Sequence, residues 1–244
     1  GSEITFSSVI TDTKENFKFT VKSPAIAPKT AYIDPGLTAS MPPGLTASTG
    51  LDALTHAIEG YTAVNAEPIA DAAALYAIEL ISAYLLRAVK DGTDTEARAG
   101  MLTGSLLAGI AFSHSDVAAV HCIAEALGGM YDAPHGECNA IALPVVMGYN
   151  MEYTVSRYAR VATAMGLDYS DPDSAARAAV EKVESMVQDA GLPGFRSLGV
   201  RRQDFDLIAE KSARNGSNAD NPRPMKKEDY LEVLERLYSR GPAQ

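Results

Sequence analysis

Polar and apolar positions along the chain fall into two regimes. Ile4 to Thr11 is rich in β-branched residues, a polar break follows at Asp12-Thr13-Lys14-Glu15-Asn16, and Phe17-Lys18-Phe19-Thr20-Val21 then alternates with period two. Alternation of that kind puts every second side chain on one face of a strand, so the segment reads as a β-hairpin. Thr30 to Ile33 reads as a third short strand, stopped by Asp34-Pro35-Gly36. From Met41 onward the apolar runs lengthen and fill with Ala and Leu, which favours helix over strand. Pro42-Pro43 suits a helix start, where a missing N–H has no intrahelical acceptor to lose. A first helix is expected to reach about Tyr61, with others near 69–90, 94–112, 116–130, 137–149, 151–165, 171–190, 203–213 and 226–239. Asn215 to Pro224, rich in Asn, Asp and Pro, reads as a loop. The fold expected is mainly α: a short β segment over 1–36, then an all-helical domain over 37–244.

Composition narrows the partners. With 46% hydrophobic and 21% charged residues, the chain is neither disordered nor collagen-like. Thirty-one acidic against 21 basic residues give a net charge of −10, which argues against a nucleic-acid face or an anionic membrane surface. The longest apolar stretch, Ile69 to Val89, carries Asp71, Glu79 and Arg87 and reads as a buried helix, not a membrane span. The first residues lack a basic region followed by an apolar core, so no signal peptide is read there. Two cysteines, Cys122 and Cys138, do not make a disulfide scaffold, and a reducing, cytoplasmic setting is the simpler expectation.

The candidate chemistry lies with the histidines, of which there are four. Asp52 and His56 stand at i and i+4 in Gly50-Leu51-Asp52-Ala53-Leu54-Thr55-His56-Ala57-Ile58-Glu59, so a helix would project both from one face within reach of one ion. His121 sits in a helical pattern, and His135 follows after Gly128-Gly129 and Pro134. One carboxylate with three imidazoles suits Fe(II) or Zn(II) better than Mg or Ca. Taken alone, an Asp-x3-His pair is more often an ordinary helix carboxylate beside an ordinary histidine. His114 sits near a helix end, where the macrodipole accounts for it; lining a substrate entrance is the alternative. For the cysteines, small apolar packing is the default and thiolate ligation the alternative.

The stretches MPPGLTASTGLDALTHAIEGY and VHCIAEALGGMYDAPHGECNAIALP closely resemble the iron-containing (group III) alcohol dehydrogenases, a family that includes lactaldehyde reductases and 1,3-propanediol dehydrogenases. GSEITFSSVITD, Ile33-Asp34-Pro35 and Asn221-Pro222-Arg223-Pro224 resemble the family too, so the likeness spans nearly the whole chain. Carried over by motif, it implies Asp52, His56, His121 and His135 as ligands of Fe(2+) or Zn(2+). It further implies NAD(P) as cofactor, with Ser7 and Lys18 facing the dinucleotide. Phe112 would lie near a small alcohol or aldehyde substrate, and a homo-oligomer is the assembly expected. Core packing is an equally good account of Phe112, and an exposed hairpin lysine is usually just solvated.

Two departures from the family pattern matter. Family members are typically longer at the N-terminus, where most of a Rossmann-like domain with its Gly-rich phosphate turn lies. No such turn occurs in these 244 residues, and residues 1–36 would be the last pieces of that domain. Many members also have a histidine one helical turn after the third ligand, where this chain has Glu125. Glu125 is the candidate catalytic acid–base group, which would need a raised pKa; an orienting role, or a fifth ligand position, is the alternative. The expected function is a metal-dependent alcohol dehydrogenase or aldehyde reductase, to which this chain supplies the metal site. A truncated metal-binding module without that activity, and a metal-assisted hydrolase with Glu125 as base, are the competing readings. Without the Gly-rich turn, these residues are expected to bind metal but not to turn over an alcohol with NAD.

Overall fold

The structure, a computed structural model, describes residues 1–240. Strands β1 (Ser7–Asp12) and β2 (Phe17–Lys22) pair antiparallel, with Ser7 opposite Lys22 and Asp12 opposite Phe17. The turn between them is closed by Asp12 Oδ1, which accepts from the Lys14 amide at 2.8 Å, and by Asn16 at φ 47°, a conformation asparagine tolerates. The expected third strand at Thr30–Ile33 is irregular chain instead, with Tyr32 90% exposed. Among the described residues the sheet has only these two strands, and a segment with no neighbour to take its ladder bonds does not become a strand.

Among the described residues eight α-helices follow: α1 (Pro43–Thr62), α2 (Pro68–Lys90), α3 (Thr95–Ser115), α4 (Ala119–Tyr131), α5 (His135–Ala164), α6 (Pro172–Asp189), α7 (Phe205–Arg214) and α8 (Lys227–Ser239). Several starts are written in the sequence: Glu67, Asp94 and Asp171 accept amide hydrogen bonds at the N-termini of α2, α3 and α6. The helices expected at 137–149 and 151–165 are one helix, α5, with Pro144 inside it. Asn150, between the two expected helices, points inward: it is buried, and its amide exchanges two hydrogen bonds of 2.9 Å with that of Asn221. The helix expected from 116 begins at Ala119, because Asp116 adopts φ 75° and turns the path by 101° between α3 and α4.

Leu51, Leu54 and Ile58 of α1 and Ile78, Ile81 and Leu85 of α2 are fully buried in the core. Helix α2 is long and apolar enough to cross a membrane, but here it lies against α3 and α1, burying one face. Short α4 is buried continuously from Ala119 to Gly128. The hairpin rests on its C-terminal end, where a β-carbon on Gly129 would stand 2.7 Å from the Asn16 carbonyl oxygen; only glycine admits that approach.

Candidate metal centre

Two helices bring three of the four predicted ligands, Asp52, His56 and His121, into one group, and a third sets His135 beside Asp52 but outside that group. On α1, His56 Nδ1 donates to the carbonyl oxygen of Asp52 one turn back at 2.9 Å, which leaves its Nε2 as a lone-pair donor. His121, in the first turn of α4, presents its own Nε2 at 3.1 Å from that of His56 and 3.9 Å from Asp52 Oδ1. His135 is the first residue of α5, and its Nε2 stands 3.6 Å from Asp52 Oδ1. The close seating of α5 on α1 that makes this possible depends on Gly136, whose β-carbon would lie 2.5 Å from the Ser48 carbonyl oxygen. One donor atom from each of Asp52, His56 and His121 lies within 4.8 Å of the others.

This donor set fits a divalent cation. Two nitrogens bound at about 2.1 Å to one tetrahedral ion stand roughly 3.4 Å apart, close to the spacings above. The two Nε2 atoms at 3.1 Å share either a proton carried by one ring or a cation set between them. The amide of Asn139 gives the same indication. Its Nδ2 is 2.6 Å from Asp52 Oδ1 and 3.1 Å from the Nε2 atoms of both His121 and His135, so the acceptors surround the one partly positive group available. Its Oδ1 meanwhile is buried with no donor.

Electrostatics favour the metal-binding forms of His56, His135 and Asp52, while His121 is pulled the other way. Burial drives the pKa of His56 down to about 3, with Asp52 opposing, and burial lowers that of His135 as well. For Asp52 burial pulls upward, but His56, His135, His121 and the Asn139 amide outweigh it and hold the carboxyl below its usual range. Burial also opposes a charge on His121, yet the hydrogen bond and charge of Glu59, with Asp52 beyond, hold that imidazole above its ordinary value. Glu59, which the sequence reading passed over, is 4% exposed and accepts from His121 Nδ1 at 2.6 Å.

The other candidates divide. Glu125 is 7% exposed, so it is no surface glutamate; it accepts from Asn215 Nδ2 at 2.6 Å, and burial raises its pKa against the pull of Asn215, His121 and Lys18. It stands outside the group of converging donor atoms. Phe112 packs on His56, ring centroids 4.4 Å apart, and with Asp52, Thr49 and Ser105 lines a cavity of about 240 Å³. Lys18 is half-buried and reaches α4 beside Gly128; it borders a second cavity of about 410 Å³ with Lys22, Asp116, Arg214 and Asn215. Ser7 lies at the start of β1 opposite Lys22. His114 is exposed and bonded to the Ile110 carbonyl one turn back. Cys122 and Cys138 are buried, free thiols whose pKa values burial pushes up, to about 12 for Cys138, so neither is a ready thiolate ligand. Asn139, Glu59 and Asn215 were missed, although Asn139 follows His135 by one helical turn and Glu59 lies in the same motif as His56.

Comparison with known proteins agrees with this geometry. Residues 46–238 match the model of the Fe-containing alcohol dehydrogenase family, C-terminal part. The chain is 39% identical to 1,3-propanediol dehydrogenase of Citrobacter freundii over 240 residues, which is 97% of this chain and 62% of that protein. It is 37% identical to NAD-dependent methanol dehydrogenase of Bacillus methanolicus, covering 96% of this chain and 62% of that one. The solved structure of an alcohol dehydrogenase from Oenococcus oeni superposes with a TM-score of 0.94 at 37% identity, over 98% of this chain and 63% of that chain. The chain thus spans about three-fifths of the length of these relatives. The helical architecture, the short antiparallel hairpin and the match to the family model agree: this chain belongs to the Fe-containing alcohol dehydrogenase family.

Proposed function

We propose that the protein to which these residues belong transfers a hydride between NAD(P) and a small alcohol or aldehyde, and that these residues supply its metal centre. The observation that carries this reading is the convergence of Asp52, His56 and His121, with His135 3.6 Å from Asp52, beside a cavity walled by Phe112. When bound, the cation supplies Lewis-acid polarisation of the substrate oxygen, and the nicotinamide supplies the redox chemistry. The four side chains hold the cation. Phe112 packs on His56 and offers an apolar wall to a short carbon chain. Glu125 is assigned the proton exchange: burial moves its carboxyl toward the range of a working acid–base group, and Asn215 fixes its orientation. Ser7 and Lys18 are assigned to the dinucleotide side, with residues 1–36 belonging to the cofactor-binding unit and 37–244 to the metal-binding one.

Turnover needs more chain than these residues, on this reading. Pyrophosphate is held by several backbone N–H groups at a Gly-rich turn opening a helix, and a two-stranded hairpin has no such cradle. Elemental analysis after anaerobic loading with iron or zinc is expected to give one ion per chain, and none for His121→Ala. Calorimetric titration with NADH is expected to give no saturable binding in the micromolar range. A wild-type chain without stoichiometric metal would sink the metal assignment; metal-dependent oxidation of propanediol by these residues alone would sink the division of labour.

A further inference from the structure

Glu59 makes three short hydrogen bonds at once from a buried position. Its Oε1 accepts from the Val120 amide at 2.7 Å; its Oε2 accepts from the Ala118 amide at 3.1 Å and from His121 Nδ1 at 2.6 Å. Helix α4 needs this, because the residue at its N-cap, Ala118, has no side chain that can accept from the first amides. His121 needs it as well. The Nδ1 of His56 finds a carbonyl oxygen on its own helix, whereas that of His121 is bonded to Glu59, on another helix. Asp52, His56 and Glu59 follow one another at i, i+4 and i+7, so a single stripe of α1 bears two donors and the carboxylate that orients a third.

We propose that Glu59 is a positioning residue of the metal centre: by accepting from Nδ1 it fixes His121 in the tautomer whose Nε2 faces the cation, and by bonding the first amides of α4 it ties cation loading to the seating of that helix. The proposal rests on the reading of Asp52, His56, His121 and His135 as a metal site. A carboxylate behind a ligating imidazole orients the ring and raises its basicity, and losing one commonly weakens metal affinity by about 10–100-fold. The competing account makes Glu59 a helix cap and nothing more.

The test uses Glu59→Gln, which keeps the shape and loses the charge and one acceptor oxygen. Zinc affinity, measured by competition with a chromogenic chelator, is expected to fall by about 10–100-fold. Nitrogen-15 spectra of the metal-free protein at alkaline pH are expected to show His121 protonated on Nδ1 in the wild type and as a mixture of tautomers in the variant. Adding Ala118→Ser returns a cap oxygen to α4; it should restore melting temperature without restoring zinc affinity, and this double variant is the one measured if Glu59→Gln alone does not fold. Unchanged zinc affinity with an unchanged tautomer would overturn the proposal and leave a cap, as would recovery of affinity on capping alone. The spectra need no metal, so they test Glu59 even if the wild type binds no zinc, an outcome that would refute the metal reading instead.

Discussion

At the scale of single residues, two glycines of α5 call for opposite substitutions. A β-carbon at Gly136 would stand 2.5 Å from the Ser48 carbonyl oxygen and 2.9 Å from its carbon, both backbone atoms of α1. Gly136→Ala must therefore lift the first turn of α5, and His135 with it. A loss of about 1–3 kcal/mol in urea unfolding of the metal-free protein is expected from overpacking, together with weaker zinc binding. Gly148 is exposed, in mid-helix, with nothing within 4 Å of an added β-carbon. Gly148→Ala is expected to gain up to about 1 kcal/mol in the same measurement. A loss at Gly148, or none at Gly136, would contradict the packing described. The closeness of Asp52, His56 and His121 was legible chiefly through the likeness of their motifs to the family, because the helical spacing of Asp52 and His56 is by itself a weak signal. Glu59 and Asn139 were not, because helical spacing says which residues share a face but not which polar one turns inward to a partner on another helix.

At the scale of elements, sequence was a good guide wherever the apolar pattern and a cap agreed. Helix α3 starts where Asp94 accepts from the Ala97 amide at 2.9 Å, and the same carboxylate takes two hydrogen bonds from Arg87 in the last turn of α2. One side chain so closes the α2–α3 hairpin from both sides. Asp94→Ala is expected to lower stability by about 1–2 kcal/mol while leaving zinc affinity unchanged, since the cap lies at the end of α3 away from Phe112. An equal stability from chemical denaturation would show the cap to be idle. Where pattern and partner came apart, sequence misled. Thr30–Ile33 has the residues of a strand but no ladder neighbour among the described residues, and the expected gap between helices at 150 is closed by a buried Asn150 paired with Asn221. The departure at 116 came from a backbone conformation, φ 75° at Asp116, that periodicity does not encode.

Over the whole molecule, the helical body has a buried apolar core while the hairpin has none of its own. Val9, Ile10, Phe19 and Val21 are 51%, 45%, 40% and 38% exposed, on a sheet whose two edges are unpaired among the described residues. Apolar side chains on an open edge template association with another chain. Ile10 and Phe19 are cross-strand partners, so Ile10→Lys with Phe19→Glu replaces an apolar pair by an ion pair. The double variant is expected to reduce self-association in sedimentation velocity at high concentration while keeping one zinc per chain; undiminished association would place the sticky surface elsewhere. The proposed metal site has a consequence on this scale too. Asp52 and His56 come from α1, His121 from α4 and His135 from α5, so they assemble only when those helices have packed. A cation held there selects the native ensemble by mass action, and each tenfold rise of free ion above the dissociation constant adds about 1.4 kcal/mol to the apparent stability. Melting temperature then becomes a property of the preparation as much as of the sequence, and two samples with different ion occupancy behave as two proteins of different thermal endurance.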